Sequence, residues 1–181
     1  MTSSDPTLGG RPILGNSCAR ATTAAEMRYR IDKPIRGRQG ARVIALDQGA
    51  AAIIARIAEY PWGSARFYEV AAPVADVEDG GSQSVTLRPV TVSGNGHRPT
   101  LVAELDDADV VVMIATTDGD DAAATIIGAA CTVRAITTAG LVIGEQAAVA
   151  DTVAAIRPHA RVLAISSDEQ DVVDILTALR A

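Results

Sequence analysis

The sequence predicts an α/β fold: a doubly wound three-layer sandwich on a mostly parallel, Rossmann-like sheet, preceded by an extended N-terminal arm. Three observations carry this. From Arg42 onward, short runs rich in Val and Ile alternate with Ala-rich segments of helical period. The run "DVVVMIA" is continuously apolar, as a strand buried on both faces is. Hydrophobic residues make up 48% of the 181, with a single Trp and a single Phe, which suits Ala-faced helices on Val/Ile strands better than an aromatic core. Strands alternating with helices imply right-handed crossovers and a sheet covered on both faces.

The elements follow in order. Residues 1–40, with "DPTLGGRPILGNS" and "DKPIRGRQG", are dominated by Gly, Pro and Arg and read as a basic arm, with at most a short helix near Thr22–Arg28. Residues 41–181 form the domain. "ARVIALD" is its first strand; "QGAAAIIARIAEY" is a helix, with Ile53, Ile54 and Ile57 on one face and Pro61 as its stop. "ARFYEVA" is a strand, and "PVADVEDGGSQS" a loop broken by Gly80-Gly81. "SVTLRPVTV" alternates but contains Pro89, which places it at a sheet edge. After the loop "SGNGHRP" comes a short helix, "TLVAELDDA". The second half reads strand "DVVVMIA", helix "DDAAATIIGAACTVRAI", strand "AGLVIG", helix "EQAAVADTVAAIR", strand "ARVLAIS" and helix "SDEQDVVDILTALRA".

Composition narrows the function. The net charge of −6 argues against general nucleic-acid binding. The charge is uneven: eight basic and three acidic residues up to Arg42, then eight basic and nineteen acidic. Such a leader folds back on its acidic body or reaches a separate acidic partner. Cys18 and Cys131 form neither a zinc pattern nor a disulfide framework; Cys131 reads as a small core residue. With no apolar leader and no long apolar run, a soluble cytoplasmic protein without a membrane partner is expected.

In an open parallel sheet, ligands bind beyond the carboxyl ends of the strands where strand order reverses. Four loops reach that edge: Asp47-Gln48-Gly49, Thr116 to Asp121, Gly144-Glu145, and Ser166-Ser167-Asp168. Asp47, Gln48, Gly49, Thr116, Thr117, Gly119, Glu145 and Ser166 are therefore the candidate ligand-binding residues. The first loop departs from a dinucleotide fingerprint. In the register Asp47-x-Gly49-x-x-Ala52 the leading glycine is an Asp, which repels phosphate. No phosphate-loop motif occurs, and Lys33, the only lysine, lies in the arm. Asp118, Asp120 and Asp121 are either helix-start residues, with Asp118 or Thr117 as N-cap, or a weak Mg²⁺ site. His97 is a loop ligand or acid/base candidate. His159 precedes the last strand and reads as a surface residue, and Arg98 is the arginine best placed to meet an anion.

The strand–loop–helix order of "VIALDQGAAAIIARI" and "ADVVVMIATTDGDDAAATIIGAACTVRAITTAGLVIG" resembles the nucleotide-binding half of the tubulin/FtsZ-like GTPases over roughly Arg42 to Ile143. That family holds GTP phosphates through glycine backbones. Gly49 matches its first loop; Thr116, Thr117 and Gly119 match its signature loop, where Asp118, Asp120 and Asp121 replace glycines. The central helix and second domain that complete the hydrolytic site have no counterpart. The resemblance implies a degenerate member without GTP hydrolysis. Two functions stand: a non-catalytic subunit that assembles with a protein partner or its own kind through body and arm, and a small-ligand or nucleotide-binding protein assisted by a metal at Asp118–Asp121. No catalytic constellation points to an enzyme.

Overall fold

In the computed structural model, the structure describes residues 40–71, 85–90 and 99–179. Among the described residues six strands make one sheet: β1 (Ala41–Ala45), β2 (Arg66–Val70), β3 (Leu87–Pro89), β4 (Val110–Ala115), β5 (Thr137–Ile143) and β6 (Val162–Ser166). Its order is β3-β2-β1-β4-β5-β6. All neighbours are parallel except β2 and β3, so the fold is α/β with a mostly parallel sheet. Among the described residues there are five helices: α1 (Gln48–Ile57), α2 (Leu101–Leu105), α3 (Asp121–Val133), α4 (Ala150–Ile156) and α5 (Gln170–Ala178).

Alternation along the strands divides the core in two, because successive side chains point to opposite faces. Ile44, Leu46, Val111, Met113 and Ala115 join Leu101 and Leu105 of α2, Ala124 and Ile127 of α3, and Ile156 of α4. Val43, Ala45, Val112 and Ile114 join Ile53, Ile54 and Ile57 of α1 and Val172 and Leu176 of α5. Cys131 is buried in the first cluster, as its place in the Ala-rich helix leads one to expect. Pro89 does mark an edge: β3 is outermost, three residues long and antiparallel, because a residue without an N–H cannot serve an inner ladder.

Two boundaries differ from expectation. The N-cap of α3 is Asp120, whose carboxylate accepts from the Ala123 N–H at 2.9 Å, rather than Asp118 or Thr117. The segment from Glu145 does not start a helix. The Glu145 carbonyl accepts from Ala148 and Val149 in a turn, Val149 is buried against the position of Gly144, and α4 begins only at Ala150. Anchoring Val149 in the core takes precedence over the helical propensity of "EQAAV".

A buried ion pair fills the amino half of the sheet. Arg42 is 1% exposed. Its Nε donates to Glu104 Oε2 at 3.1 Å and its Nη2 to the Asp107 carbonyl at 2.7 Å, while Arg66 reaches the same Glu104 oxygen at 3.2 Å. The helix α2 thus supplies the counter-charge that makes a buried guanidinium tolerable. Burial beside Glu104 also pushes the Tyr68 phenol well up from its ordinary range. Among the described residues no helix is long and apolar enough to cross a membrane. The expected arm up to residue 39, the loops at 72–84 and 91–98, and with them Cys18, His97 and Arg98, lie outside the described residues.

Candidate functional site

Strand order reverses between β1 and β4: the chain leaves β1 toward β2 and β3 on one side, and β4 leads to β5 and β6 on the other. The pairing of Ala45 with Ile114 brings the ends of both strands level. The carboxyl-edge crevice therefore opens between the Asp47 and Thr116 loops, where ligand sites of open parallel sheets form.

That crevice is occupied by the protein's own side chains. Asp47 is half-buried and is the N-cap of α1. Its Oδ1 accepts from the Ala50 N–H at 2.7 Å and from the Thr116 hydroxyl at 2.8 Å, and its Oδ2 accepts from the Thr116 N–H at 2.6 Å. One carboxylate thereby takes a helix N-terminal donor and both donors of the facing loop. Those are the groups that would otherwise be offered to an anion. Gly49 makes the approach feasible: a Cβ there would lie 2.6 Å from Thr116 Oγ1 and 3.2 Å from Asp47 Oδ1. Its glycine serves the contact between loops.

The rest of the Thr116–Asp121 loop is equally committed. The Thr117 carbonyl accepts from the Thr152 hydroxyl of α4 at 3.1 Å, and Gly119 sits where a Cβ would meet Thr152 at 2.7 Å and Ala115 at 3.1 Å. The Asp120 N–H donates to the Leu46 carbonyl at 3.3 Å, tying this loop to β1. Asp118 and Asp121 are exposed, Asp121 lying in the first turn of α3. Asp118, Asp120 and Asp121 are not brought together as a ligand set: among the described residues no group of three His, Cys, Asp or Glu can hold a metal ion.

Beside the crevice lies a cleft of about 280 Å³ lined by Ala45, Leu46, Asp47, Gln48, Val70, Asp120 and the ion pair Glu69–Arg88. It continues along α1 past Ala55 toward Val90. Of the sequence candidates, Asp47, Gln48, Gly49 and Thr116 therefore converge. Glu145 and Ser166 do not join them. Glu145 is an exposed turn residue, and the Ser166 hydroxyl is engaged within its own turn with Asp168 and Asp171.

Sequence reasoning missed Glu69 and Arg88. They face each other across β2 and β3, a register that the alternating patterns of "RFYEV" and "LRP" cannot reveal until the strands are paired. Among the described residues the arginine in the cleft is Arg88; Arg98 lies outside them. His159 lies on the edge opposite the crevice, as its place before the last strand implies, but it is not a plain surface residue. It is half-buried at the amino edge, packed on Gly128 of α3, and its carbonyl accepts from the buried Thr138 hydroxyl. Comparison with known proteins yields no family model, no curated protein and no solved structure that matches this chain.

Proposed function

We propose that the chain is a non-catalytic, Rossmann-like subunit: a doubly wound three-layer sandwich whose body and basic N-terminal segment act by assembly with protein. The observation that carries this reading is the Asp47 carboxylate, which fills the crevice between β1 and β4 and consumes the Ala50 N–H and both Thr116 donors. A phosphate would have to displace a fixed negative charge to reach them. The two separate core clusters support the layered arrangement. The resemblance to tubulin/FtsZ-like GTPases, carried by Gly49, Thr116, Thr117 and Gly119, fits a member whose phosphate site is closed by its own side chain.

A second reading is favoured by the cleft beside α1. There Gln48, Glu69 and Arg88 offer polar contacts to a small polar ligand that does not pass through Asp47. Thermal melting with GTP, ATP and NAD, each with and without Mg²⁺, separates the two. A ligand at a hundredfold excess over its Kd adds about 2.7 kcal/mol of stability. The assembly reading expects no shift with any of them. A clear rise with one nucleotide would transfer the function to the cleft.

A further inference from the structure

We infer that the outer edge of β6 pairs with the same edge of a second copy of this chain, antiparallel about a twofold axis at Ala164. The inference deepens the assembly reading and rests on it, by naming the partner and the surface.

The two borders of the sheet are built differently. At one, β3 is three residues long, ends in Pro89 and carries the charged Arg88, features that discourage further strand addition. At the other, β6 reads Val162-Leu163-Ala164-Ile165-Ser166, with no proline and no charge. It pairs only with β5, and nothing among the described residues pairs with its outer side. Two of its apolar side chains are open to solvent, Val162 at 61% and Ile165 at 39%. Natural sheets protect an apolar, β-branched edge or use it for strand addition.

Charge selects the occupant and its direction. Exposed Arg161 precedes β6, with exposed Arg157 one turn earlier, whereas exposed Asp168, Glu169 and Asp171 follow it. A parallel neighbour with the same sequence would set arginine beside arginine and carboxylate beside carboxylate. An antiparallel copy reverses this. With Ala164 opposite Ala164 of the second copy, Leu163 faces Ile165, Val162 faces Ser166, and each Arg161 lies beside the other copy's Ser167-Asp168 turn. Direct cross-strand pairs of this kind stabilise a sheet. The contact is isologous, so it closes at two copies and grows no fibre.

Sedimentation equilibrium on the full chain tests it. The expected mass is twice the 18.6 kDa of one chain. Ile165→Lys, with its circular dichroism unchanged, is expected to return the mass to one chain. Arg161→Asp is expected to weaken the dimer at least tenfold, and adding Asp168→Arg to restore it. If Ile165→Lys does not fold, Ala164→Cys in a chain with Cys18→Ser decides, because oxidation should link two copies at the twofold. A full chain that stays single, or a dimer indifferent to Ile165→Lys and unlinked by Ala164→Cys, overturns the inference. Slow exchange in a single chain of those β6 amides that do not bond β5 would assign the outer edge to another segment of the same chain and overturn it equally. A nucleotide-induced melting shift would sink the assembly reading, and a lone chain only this edge.

Discussion

Replacing Asp47 by Ala probes the contact on which the proposed function rests. The substitution removes an N-cap, worth about 1 kcal/mol. It also removes two bonds to Thr116, at 2.6 and 2.8 Å. Bonds to a charged group are worth about 1.5–3 kcal/mol when fully buried; because Asp47 is half-buried and water can reach the abandoned donors, about 1 kcal/mol each is the appropriate value. The total is a loss of about 3 kcal/mol, a large share of the ~5–15 kcal/mol typical of a domain. Asp47→Asn keeps one acceptor but turns an amide donor toward an N–H, so about half that loss is expected. Urea unfolding followed by far-UV circular dichroism measures both, with an unchanged m-value. Inorganic phosphate supplies a second readout. With the carboxylate gone, the Ala50 and Thr116 donors are open, and phosphate should raise the midpoint of Asp47→Ala more than that of the native chain. A loss below about 0.5 kcal/mol, the range of ordinary surface substitutions, would refute the reasoning. So would an equal phosphate effect on both proteins.

Further outcomes follow from the packing. Gly128 lies inside α3, where Ala is ordinarily better by about 1 kcal/mol. A Cβ there would stand 2.4 Å from His159 Cβ, so Gly128→Ala is expected to cost about 1–3 kcal/mol in urea unfolding; His159→Gly, which removes that Cβ, should make the added cost of Gly128→Ala largely disappear. Ala135 closes α3 at φ 55°, with the Ile136 N–H donating to Cys131 and the Ala135 N–H to Thr132. Ala135→Gly should stabilise by about 0.5–1 kcal/mol, read as a higher Tm, because glycine occupies this left-handed region without strain. Burial pushes the Cys131 thiol up to about 11 from its ordinary 9.0. A raised thiol contributes stability that is full below pH 9 and lost as pH rises toward 11, about 2 kcal/mol by linkage. Tyr68 titrates in the same direction, so the difference between native chain and Cys131→Ala, measured from pH 8 to 11, isolates the thiol.

Much of the architecture is written in local period. The apolar run of β4, the Ile53-Ile54-Ile57 face of α1 and the proline of β3 each act within a few residues, so a single stretch of chain reveals them. Helix starts are less legible. Thr117, Asp118 and Asp120 are all competent caps, and only the backbone at Asp120, extended at φ −74° and ψ 104°, makes it the one that accepts from Ala123. The α4 boundary fails for a related reason: Val149 is claimed by the core, and propensity carries no record of that.

The candidate site divides in the same way. That Asp47 brings a negative charge to the mouth of the sheet was readable from the sequence alone. That it fills the crevice itself was not, because Thr116 lies 69 residues away and becomes its neighbour only when β1 and β4 lie side by side. The facing of Glu69 and Arg88, and the burial of Arg42 beneath Glu104, are likewise products of strand pairing and helix placement. By itself, then, the amino-acid order determined which segments are strands and helices and the sign of charge at the mouth of the sheet, since both depend on nearest neighbours along the chain. Only the tertiary structure decided which donors that charge would occupy, because hydrogen bonds form between groups close in space, whatever their separation in sequence.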